Sequence, residues 1–375
     1  MTIAFDVSYI QKRRAGLGRH TLELLRALLS ADSENEYILH GWSFSLDVDE
    51  ITRLRKHNIR LRVARIPGFV KRMYWNQLRW PPVEFFTKDF EIFHSSDPFS
   101  PPVKKKKTIV TVHDLSYKKF PQFFERQVLR WDKFVWCSVQ NAQAIIVPSH
   151  QTKSDVLEIF RLNEEKVHII PVPISSIFTA QGETELDETV KRKFRLKSPF
   201  GLFVGTIEPR KNVLSLIKAF EIFHRGQTSE LQLVLVGKRG WLCQEVFKAI
   251  DNCPARSRIL YLDYVSDREL PSIYRAARFF IYPSYYEGYG FPVLEAMASG
   301  LPVITSNSSS LKEIAEGTAL LIDPSNVDDL LNSIKALTEN SQLHAEISKR
   351  SLQKAKEFST GSTAEKVLGL YQSLA

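Results

Sequence analysis

Short apolar runs alternate along the whole chain with longer segments whose apolar residues recur at helical spacing. Runs such as TIAFDVS, EYILHGW, KTIVTVHD and AQAIIVPS in the first half, and GLFVGT, LQLVLVG, RFFIYPS and LPVITSN in the second, have the length and composition of buried strands. The segments between them, among them GRHTLELLRALLS and VLSLIKAFEIFHRG, predict helices. This alternation predicts an α/β fold of parallel sheets joined by crossover helices. Because the alternation forms two sets, we predict two doubly wound domains.

The length of 375 residues and a junction rich in proline and serine divide this pattern into two domains. The junction is PVPISSIF, residues 171–178. We therefore predict a first domain over residues 1–172 and a second over residues 173–356. Doubly wound sheets bind ligands at the carboxyl ends of their strands, so the loops that follow strands are candidate site positions. These loops carry Gly16, Gly18, His113, Ser149, residues 208–211, residues 237–240 and Glu287.

Composition and cysteine usage predict a cytoplasmic globular protein. The chain is 43% hydrophobic and 25% charged, which leaves ample material for two cores. Its three cysteines have no metal-ligand spacing and favour a reducing compartment without a disulfide framework. The opening MTIAFDVSYI lacks the features of a secretory signal, and no apolar run approaches the length of a transmembrane helix.

The net charge of +9 is concentrated in the first half of the chain. Residues 53–83 contain nine basic residues and no acidic one, interleaved with aromatic residues such as Trp75 and Trp80, and residues 104–107 are four consecutive lysines. Basic residues among aromatics favour an anionic membrane surface. The alternatives are a solvated surface above core aromatics, and nucleic-acid binding. We expect contact with the inner face of a membrane and no nucleic-acid partner.

The stretch YYEGYGFPVLEAMASG places two carboxylates, Glu287 and Glu295, eight residues apart. Two glycines and Pro292 lie between them and exclude one continuous helix, so we predict a buried strand, a glycine-rich loop and a helix that begins near Pro292. The first turn, residues 291–294, would offer free N–H groups and a positive dipole end to a phosphate. Glu295 could then accept hydrogen bonds from ribose hydroxyls, although a capping role for Glu295 and a surface position for Glu287 are the alternatives.

Two cations follow a buried strand in the stretch GTIEPRKN. Arg210 and Lys211 precede a predicted helix, where cations oppose the helix dipole. That mismatch favours an anion site, suited to a diphosphate, over a solvated basic turn. Charge-assisted contacts of this kind contribute ~1.5–3 kcal/mol each.

Three further patterns carry weaker signals. His113 ends the predicted strand TIVTV, where a lone histidine is more often structural. The loop RRAGLGRH contains Gly16 and Gly18 but no third glycine, so the dinucleotide fingerprint is incomplete. Asp47 and Asp49 form a DVD pattern that some transferases use for a divalent metal, but here it favours a helix start. We therefore predict no metal site.

The chain resembles the retaining glycosyltransferases of family 4, which have the GT-B fold. The resemblance covers nearly the whole chain and depends on AGLGR, VTVHD, VPSHQTKSD, GTIEPRKN, DYVSDREL, EGYGFPVLEAMASG, PVITSNSSSLKE and LIDP. The subgroup that it looks most like contains mannosyltransferases that build bacterial polysaccharides such as O-antigen. The GT-B fold implies two Rossmann-like domains facing a central cleft, with the C-terminal segment, about residues 357–375, returning to the first domain.

The resemblance also implies roles for matching residues. Glu287 would bind hydroxyls of the donor sugar, and Glu295 would hold the nucleotide ribose. The amides of residues 291–294 would hold the diphosphate together with Arg210 and Lys211. His113 would lie beside the donor sugar and the acceptor.

Catalytic roles are expected for His113, Glu287, Arg210 and Lys211. Donor contacts are expected for Gly16, Gly18, Gly205, Thr206, Arg210, Lys211, Gly237, Lys238, Tyr264, Val265, Gly288, Tyr289, Gly290, Phe291, Pro292, Val293, Leu294 and Glu295. Acceptor contacts are expected for Arg14, Arg19 and His20.

The chain departs from the family pattern in three places. Thr206 stands where many relatives have arginine, so more of the diphosphate charge falls to Arg210 and Lys211. Asp263 stands where relatives often have glycine, which weakens inferences about the base. The final segment FSTGSTAEK lacks the usual tryptophan.

The expected reaction moves a hexose, favoured as mannose from GDP-mannose, to a hydroxyl of a glycan or lipid-linked glycan, with closure of the cleft around the nucleotide. No cofactor or metal is expected. The alternatives are a glycosyltransferase that uses a UDP-sugar, a disaccharide phosphorylase on the same fold, and a non-catalytic protein that binds sugar nucleotides. A nicotinamide dehydrogenase is disfavoured because the glycine fingerprint is incomplete.

Overall fold

The computed structural model describes residues 1–12, 16–54, 58–67, 70, 74–75, 78–126, 132–225, 229–358 and 360–375. Cα packing groups the chain into two compact units. The first unit contains residues 1–115, 126–173 and 358–375, and the second contains residues 116–125 and 174–357.

The regular elements follow the predicted alternation of strands and helices. The strands are Thr2–Asp6 (β1), Glu36–Trp42 (β2), Ile59–Ala64 (β3), Ile92–Ser95 (β4), Lys107–Thr111 (β5), Ala144–Val147 (β6), Val167–Ile169 (β7), Phe200–Val204 (β8), Gln232–Val236 (β9), Ile259–Leu262 (β10), Phe279–Tyr282 (β11), Val303–Ser306 (β12) and Leu320–Ile322 (β13). The α-helices are Gly16–Ala31 (α1), Val48–Arg53 (α2), Ser116–Lys119 (α3), Asp132–Asn141 (α4), His150–Phe160 (α5), Thr184–Phe194 (α6), Val213–His224 (α7), Gln244–Asn252 (α8), Leu270–Ala276 (α9), Phe291–Ala298 (α10), Ser309–Ala315 (α11), Val327–Glu339 (α12), Ser341–Ala355 (α13) and Thr360–Leu374 (α14). The 3₁₀ turns are Val83–Phe85, Pro121–Phe123, Glu164–Lys166, Pro209–Lys211 and Arg256–Arg258.

The first unit is built, over its described residues, on seven parallel strands in the order β3-β2-β1-β4-β5-β6-β7. Phe5 in β1 lies opposite Leu39 in β2 and His94 in β4. Helix α1 packs its leucines against this sheet, and α14, from the end of the chain, packs beside α1 in the same apolar core. The hydroxyl of the buried Tyr371 in α14 lies 2.6 Å from Nδ1 of His94, so the last helix is joined to the centre of the sheet.

The second unit is built, over its described residues, on six parallel strands in the order β10-β9-β8-β11-β12-β13. Strand order reverses between β8 and β11, which pair directly. In doubly wound sheets such a switch point opens a crevice at the carboxyl ends of the two strands. Those ends lead here into the loops 205–212 and 283–290.

The prediction of two doubly wound parallel sheets is confirmed. Strand β7 was missed because it is only three residues long, contains a histidine, and pairs with β6 alone at the edge of the sheet.

Asp47 caps α2 by accepting a hydrogen bond from the backbone N–H of Glu50 at 3.2 Å, in agreement with a helix start at this position. In the described part of the chain, no three His, Cys, Asp or Glu residues are grouped so that they could hold a metal ion. No helix in the same ranges is long and apolar enough to cross a membrane.

Residues 116–125 pack with the second unit although they follow β5 of the first. The ring of Phe123 stacks on Tyr285 at 5.2 Å, and the Phe123 carbonyl accepts a hydrogen bond from Trp241 Nε1 at 2.7 Å. Phe124 lies 5.5 Å from the same tryptophan ring. The boundary predicted at residue 172 assigned this segment to the first domain. The structure groups it with the second because its phenylalanines pack against aromatic residues there.

Tyr371→Phe should destabilise the first unit by about 1–3 kcal/mol, because it leaves the buried His94 ring without this hydroxyl partner. Tyr371→Ala should cost about 3–5 kcal/mol, since it also removes the buried ring. Urea unfolding followed by tryptophan fluorescence measures both. Gln372→Ala, at an exposed position of the same helix, is the matched control and should change little. Equal stability of Tyr371→Ala and the wild type would contradict the role of α14 in this core.

Candidate functional site

Two loops meet at the switch point of the second unit. Loop 205–212 follows β8 and contains the 3₁₀ turn Pro209–Lys211, whereas loop 283–290 follows the neighbouring β11. The backbone carbonyl of Arg210 accepts a hydrogen bond from the N–H of Tyr285 at 3.0 Å and lies 3.1 Å from Ser284 Oγ. The candidate residues of GTIEPRKN and of the Glu287 loop are therefore held directly against each other.

The carboxylate of Glu287 lies between both predicted cations. Its Oε1 accepts hydrogen bonds from Lys211 Nζ at 2.5 Å and from Ser284 Oγ at 2.7 Å, and its Oε2 lies 2.9 Å from Arg210 Nη1. Glu287 is only 7% exposed, and the two cations are each 8% exposed. The structure thus brings together three of the four residues predicted to be catalytic.

A second carboxylate completes this buried charge cluster. Arg210 Nη2 donates to Glu208 Oε1 at 2.8 Å, and its Nη1 donates to the Tyr286 carbonyl at 2.7 Å. Lys211 Nζ also donates to the Tyr282 hydroxyl at 2.6 Å. The charge cluster, defined as Glu208, Arg210, Lys211 and Glu287, therefore contains two positive and two negative groups.

The protonation of the charge cluster follows from these contacts. Burial by itself would raise the pKa of Glu287, but the positive charges of Arg210 and Lys211 lower that pKa to about 2. Burial and the neighbouring Arg210 charge lower the pKa of Lys211, against the opposing effect of the two carboxylates. Burial and the Glu287 charge raise the pKa of the Tyr282 hydroxyl. Glu287 is therefore an ionised hydrogen-bond acceptor at neutral pH.

Two serines of α11 fix the backbone of Glu287. The N–H of Glu287 donates to Ser309 Oγ at 3.0 Å, and Ser310 Oγ donates to the Glu287 carbonyl at 2.8 Å. These residues belong to the stretch PVITSNSSSLKE, which supports the family resemblance but was not predicted to contact Glu287. Consecutive serines before a helical pattern were the available signal.

The helix after the glycine loop begins at Phe291, with Pro292 in its first turn, as predicted. Gly290 precedes it at φ +105°, and a Cβ there would come within 2.8 Å of Leu311, so glycine is required on both conformational and steric grounds. The expectation of free amides throughout residues 291–294 is wrong. Pro292 has no N–H, and the N–H groups of Val293 and Leu294 donate to the Gly290 carbonyl at 3.0 and 3.2 Å.

Glu295 lies in α10 and is buried. Its Oε2 accepts a hydrogen bond from the Tyr274 hydroxyl at 2.9 Å, and Tyr274 belongs to α9. The carboxylate is thus oriented by a neighbouring helix that the sequence did not connect with it. Binding of the ribose by Glu295 stays a prediction.

The loop after β9 packs closely on the loop after β8. Gly237 adopts φ +145°, and a Cβ at this position would lie 2.0 Å from the Gly205 carbonyl oxygen. Ile207 donates from its N–H to the carbonyl of Lys238 at 3.0 Å. Three other candidate residues differ in burial: Thr206 is half-buried, Tyr264 is exposed and Val265 is buried. Their contacts with a nucleotide stay predictions.

The loop that carries Glu287 also packs against the segment 116–125. The rings of Phe120 and Tyr286 lie 5.7 Å apart, and Phe123 stacks on Tyr285. Gly288 and Tyr289 follow directly in the loop, and Tyr289 is buried. Sequence reasoning did not connect KKFPQFF with this loop, because aromatic packing between distant segments leaves no local pattern.

The first unit brings two other candidate residues together. The rings of His113 and His20 meet edge to face at 4.4 Å, and His113 Nε2 donates to the Ser96 carbonyl at 2.8 Å. Burial lowers the pKa of both histidines, so both are neutral at pH 7. The hydrogen bond to Ser96 places the proton of His113 on Nε2.

The other candidates in this unit surround the start of α1. The helix begins at Gly16, Gly18 is buried within its first turn, and Arg19 is half-buried. Arg14 lies outside the described residues. The predicted contacts of these residues with donor and acceptor stay predictions.

Comparison with known proteins assigns each half of the chain. Residues 14–176 match the family described as Glycosyltransferase Family 4, and residues 186–354 match the family described as Glycosyl transferases group 1. The Escherichia coli protein named O-antigen chain mannosyltransferase B is 28% identical to this chain over 388 residues, and the alignment covers 100% of both chains.

Solved structures share the fold. Sucrose-phosphate synthase from Thermosynechococcus elongatus matches with a TM-score of 0.78 at 19% identity, covering 100% of this chain and 99% of that one. The Anabaena protein HepE, solved in complex with UDP and glucose, matches with a TM-score of 0.75 at 14% identity over 100% of both chains. At these identities the similarity concerns the fold, and it supports the predicted GT-B class.

Glu287→Gln should reduce the dependence of unfolding free energy on pH in the acid range. The pKa of Glu287 is lowered from 4.5 to about 2, so its ionised form stabilises the fold above the unfolded pKa and loses that effect as the pH falls towards the folded one. The stability difference between wild type and variant should shrink by up to roughly 3 kcal/mol as the pH falls from about 5 to about 2.

Urea unfolding at a series of pH values measures this difference. Glu339→Gln, at an exposed position of α12, is the control and should follow the wild type at every pH. A difference between Glu287→Gln and wild type that stays constant through the acid range would show that Glu287 is not held ionised by its cations.

Proposed function

Since this chain belongs to the glycosyltransferases of family 4, we propose that it transfers mannose from GDP-mannose to a hydroxyl of a glycan or lipid-linked glycan. The proposed pathway is the synthesis of a bacterial surface polysaccharide of the O-antigen type. The name of the full-length E. coli relative supports both the sugar and the kind of product. The observation that carries the donor site is the placement of Glu287 between Arg210 and Lys211 at the switch point of the second sheet.

The proposed chemistry centres on the diphosphate that leaves. Negative charge accumulates on it in the transition state, and preorganised cations lower the energy of that state. Lys211 donates to Glu287 and Tyr282, and an ammonium has three N–H groups, so one is left to meet a phosphate oxygen. Loss of a preorganised donor of this kind lowers rates by ~10²–10³. Cations in this position do the work that a divalent metal does in other transferases, so we propose a metal-independent reaction.

Glu287 is proposed to orient the sugar. Its ionised carboxylate is fixed at three points, and Oε2 has a lone pair beyond the one directed at Arg210, available to a sugar hydroxyl. We propose retention of the anomeric configuration by attack on the face that the diphosphate leaves, with the departing phosphate accepting the proton of the attacking hydroxyl. His113, neutral and with its proton fixed on Nε2, is proposed to contact the sugar and the acceptor.

A UDP-sugar donor is the second candidate, because the similar structure of HepE was solved with UDP and glucose. The two donors differ in their base, whereas the charge cluster is proposed to contact only the sugar and the diphosphate. The donor therefore has to be identified by direct comparison.

Purified protein should release GDP slowly from GDP-mannose and release less nucleotide from UDP-glucose, UDP-N-acetylglucosamine and ADP-glucose. Glu295→Ala should lose this release because the carboxylate held by Tyr274 is proposed to bind the ribose. Nucleotide release and nucleotide-induced thermal stabilisation are measured on the same samples, with Glu339→Ala as the control that should retain activity. If nucleotide were released only from UDP-glucose, the donor would be UDP-glucose and not GDP-mannose. Normal sugar transfer by both Lys211→Ala and Glu295→Ala would overturn the donor site.

The first unit carries a surface suited to a membrane, which we call the basic–aromatic surface. Arg60 and Arg62 are exposed on the edge strand β3 and line a cavity of about 200 Å³ together with Lys88. Nearby, Trp80 is 52% exposed, and Phe85, which is 65% exposed, lies 6.2 Å from it. Several positions of residues 53–83 (55–57, 68–69, 71–73 and 76–77) lie outside the described residues. The four lysines of residues 104–107 are exposed in the same unit.

Exposed aromatic rings beside cations are the combination that binds the headgroup region of anionic bilayers. We therefore propose that the basic–aromatic surface docks the enzyme at the cytoplasmic face of the membrane. A lipid-linked acceptor would be presented at such a surface.

Binding to anionic liposomes should fall as salt increases, because exposed charges are screened. The double variant Trp80→Ser and Phe85→Ser should lower binding several-fold while GDP release in solution is retained. Co-sedimentation with anionic and neutral liposomes measures this, and Leu242→Ser, an exposed apolar position of the second unit, is the control. Equal sedimentation with anionic and neutral liposomes would contradict electrostatic docking.

A further inference from the structure

Glu208 is a buried carboxylate with no role in the proposed reaction. It is 2% exposed and precedes Pro209, and its Oε1 accepts a hydrogen bond from Arg210 Nη2 at 2.8 Å. Burying an ionised carboxylate is unfavourable unless it is paired. Since a buried group does not contribute to solubility, the position of Glu208 beside Arg210 points to another role. The sequence placed Glu208 in a candidate loop but assigned a role only to the cations of GTIEPRKN.

Arg210 is integrated into the protein on several sides. Nη2 pairs with Glu208, Nη1 contacts both the Tyr286 carbonyl and Glu287 Oε2, and the backbone carbonyl accepts from the loop that begins at Ser284. A guanidinium is planar and rigid, so fixing one edge fixes the direction of the others. Glu208 therefore determines where Nη1 points, and Nη1 determines the position of Glu287.

Lys211 differs from Arg210 in the contacts of its charged group. It donates to Tyr282 and Glu287, which belong to β11 and the loop that follows it, and its ammonium has a third N–H. An ammonium on a flexible stem can turn towards a phosphate without breaking a fixed fork. The two adjacent cations are thus suited to different tasks.

We infer that Glu208 is a positioning residue, which acts through Arg210 to fix the Glu287 carboxylate and leaves Lys211 as the cation that meets the donor diphosphate. This inference rests on the proposed function. It separates two cations that the family resemblance treats together. It also explains why a second carboxylate, Glu208, is buried in the charge cluster. Without Glu208, the Arg210 side chain would be attracted to the phosphates and would no longer hold Glu287.

The first test compares Glu208→Ala with Glu208→Gln in steady-state donor turnover. Misplacing a group that contacts the substrate lowers rates strongly, so Glu208→Ala should lower kcat by roughly 10-fold or more with a smaller change in KM. Glu208→Gln should recover part of kcat, because its amide oxygen still accepts from Arg210. Asp187→Asn, which removes the carboxylate paired with Arg275 in the same unit, is the matched control and should leave kcat unchanged.

A purely structural role for Glu208 predicts something different. Both Glu208 variants would then lower the unfolding temperature while the folded fraction kept the wild-type kcat and KM. Wild-type kinetics in a destabilised Glu208→Ala protein, or no recovery in Glu208→Gln, would overturn the inference.

The second test separates the two cations by binding alone. GDP should raise the unfolding temperature of wild type and of Arg210→Met, whereas Lys211→Met should lose most of that shift. Because Arg210→Met leaves Glu208 buried and unpaired, the double variant Glu208→Gln with Arg210→Met should regain unfolding temperature but not kcat.

The outcomes distinguish the inference from the proposed function. If no nucleoside diphosphate among GDP, UDP and ADP stabilises the wild type, the proposed donor site fails. If a nucleoside diphosphate stabilises the wild type and the shift is lost equally in Arg210→Met and Lys211→Met, the donor site stands and the division of roles is wrong.

Discussion

The pairing of Glu287 with Arg210 and Lys211 is the interaction on which the second unit's site depends. Charges buried to this degree destabilise a fold unless each has a partner at hydrogen-bond distance. The partners come from loops 76 residues apart in the chain, and they meet because β8 and β11 are neighbours at the point where strand order reverses. The sheet topology thus determines which charges can meet, and the charges in turn determine how the loops lie.

The same argument explains why the surroundings of Glu287 are rich in short polar side chains. Ser284, Ser309 and Ser310 each bind either the carboxylate or the backbone of this residue. A serine hydroxyl can donate or accept and loses little conformational freedom, so it satisfies loop groups that no strand can pair. Aromatic packing by Phe120 and Phe123 covers the neighbouring positions Tyr286 and Tyr285. Glu287 is therefore held by charge, by hydrogen bonds and by packing of the adjacent residues.

Much of this could be predicted from the sequence. Short apolar runs and helical spacing predicted both sheets, since strands such as AIIV and FFIY are apolar throughout, and only the three-residue β7 was missed. The identity of the principal charged residues was also predictable, because glycine, proline and carboxylates at fixed spacing have few structural explanations. The partners Glu208, Tyr274 and Tyr282 were not, because a contact between distant segments leaves no periodicity. The prediction that the helix amides are free was wrong for a related reason. Gly290 adopts a left-handed conformation, and its carbonyl already accepts the first helical hydrogen bonds, one residue earlier than a helix start at Pro292 would allow.

The two carboxylates that the sequence places eight residues apart end in different environments. Glu287 lies in a loop between two cations, whereas Glu295 lies in a helix and accepts a hydrogen bond from the hydroxyl of Tyr274. Glu287 is therefore fixed by charge, so a ligand that brings negative charge would compete directly for its partners. A diphosphate bound near Lys211 would compete with Glu287 for the ammonium while leaving the contact of Glu295 intact. Such competition requires that something else keep Glu287 in place, and in this fold that role falls to Arg210 with Glu208 behind it.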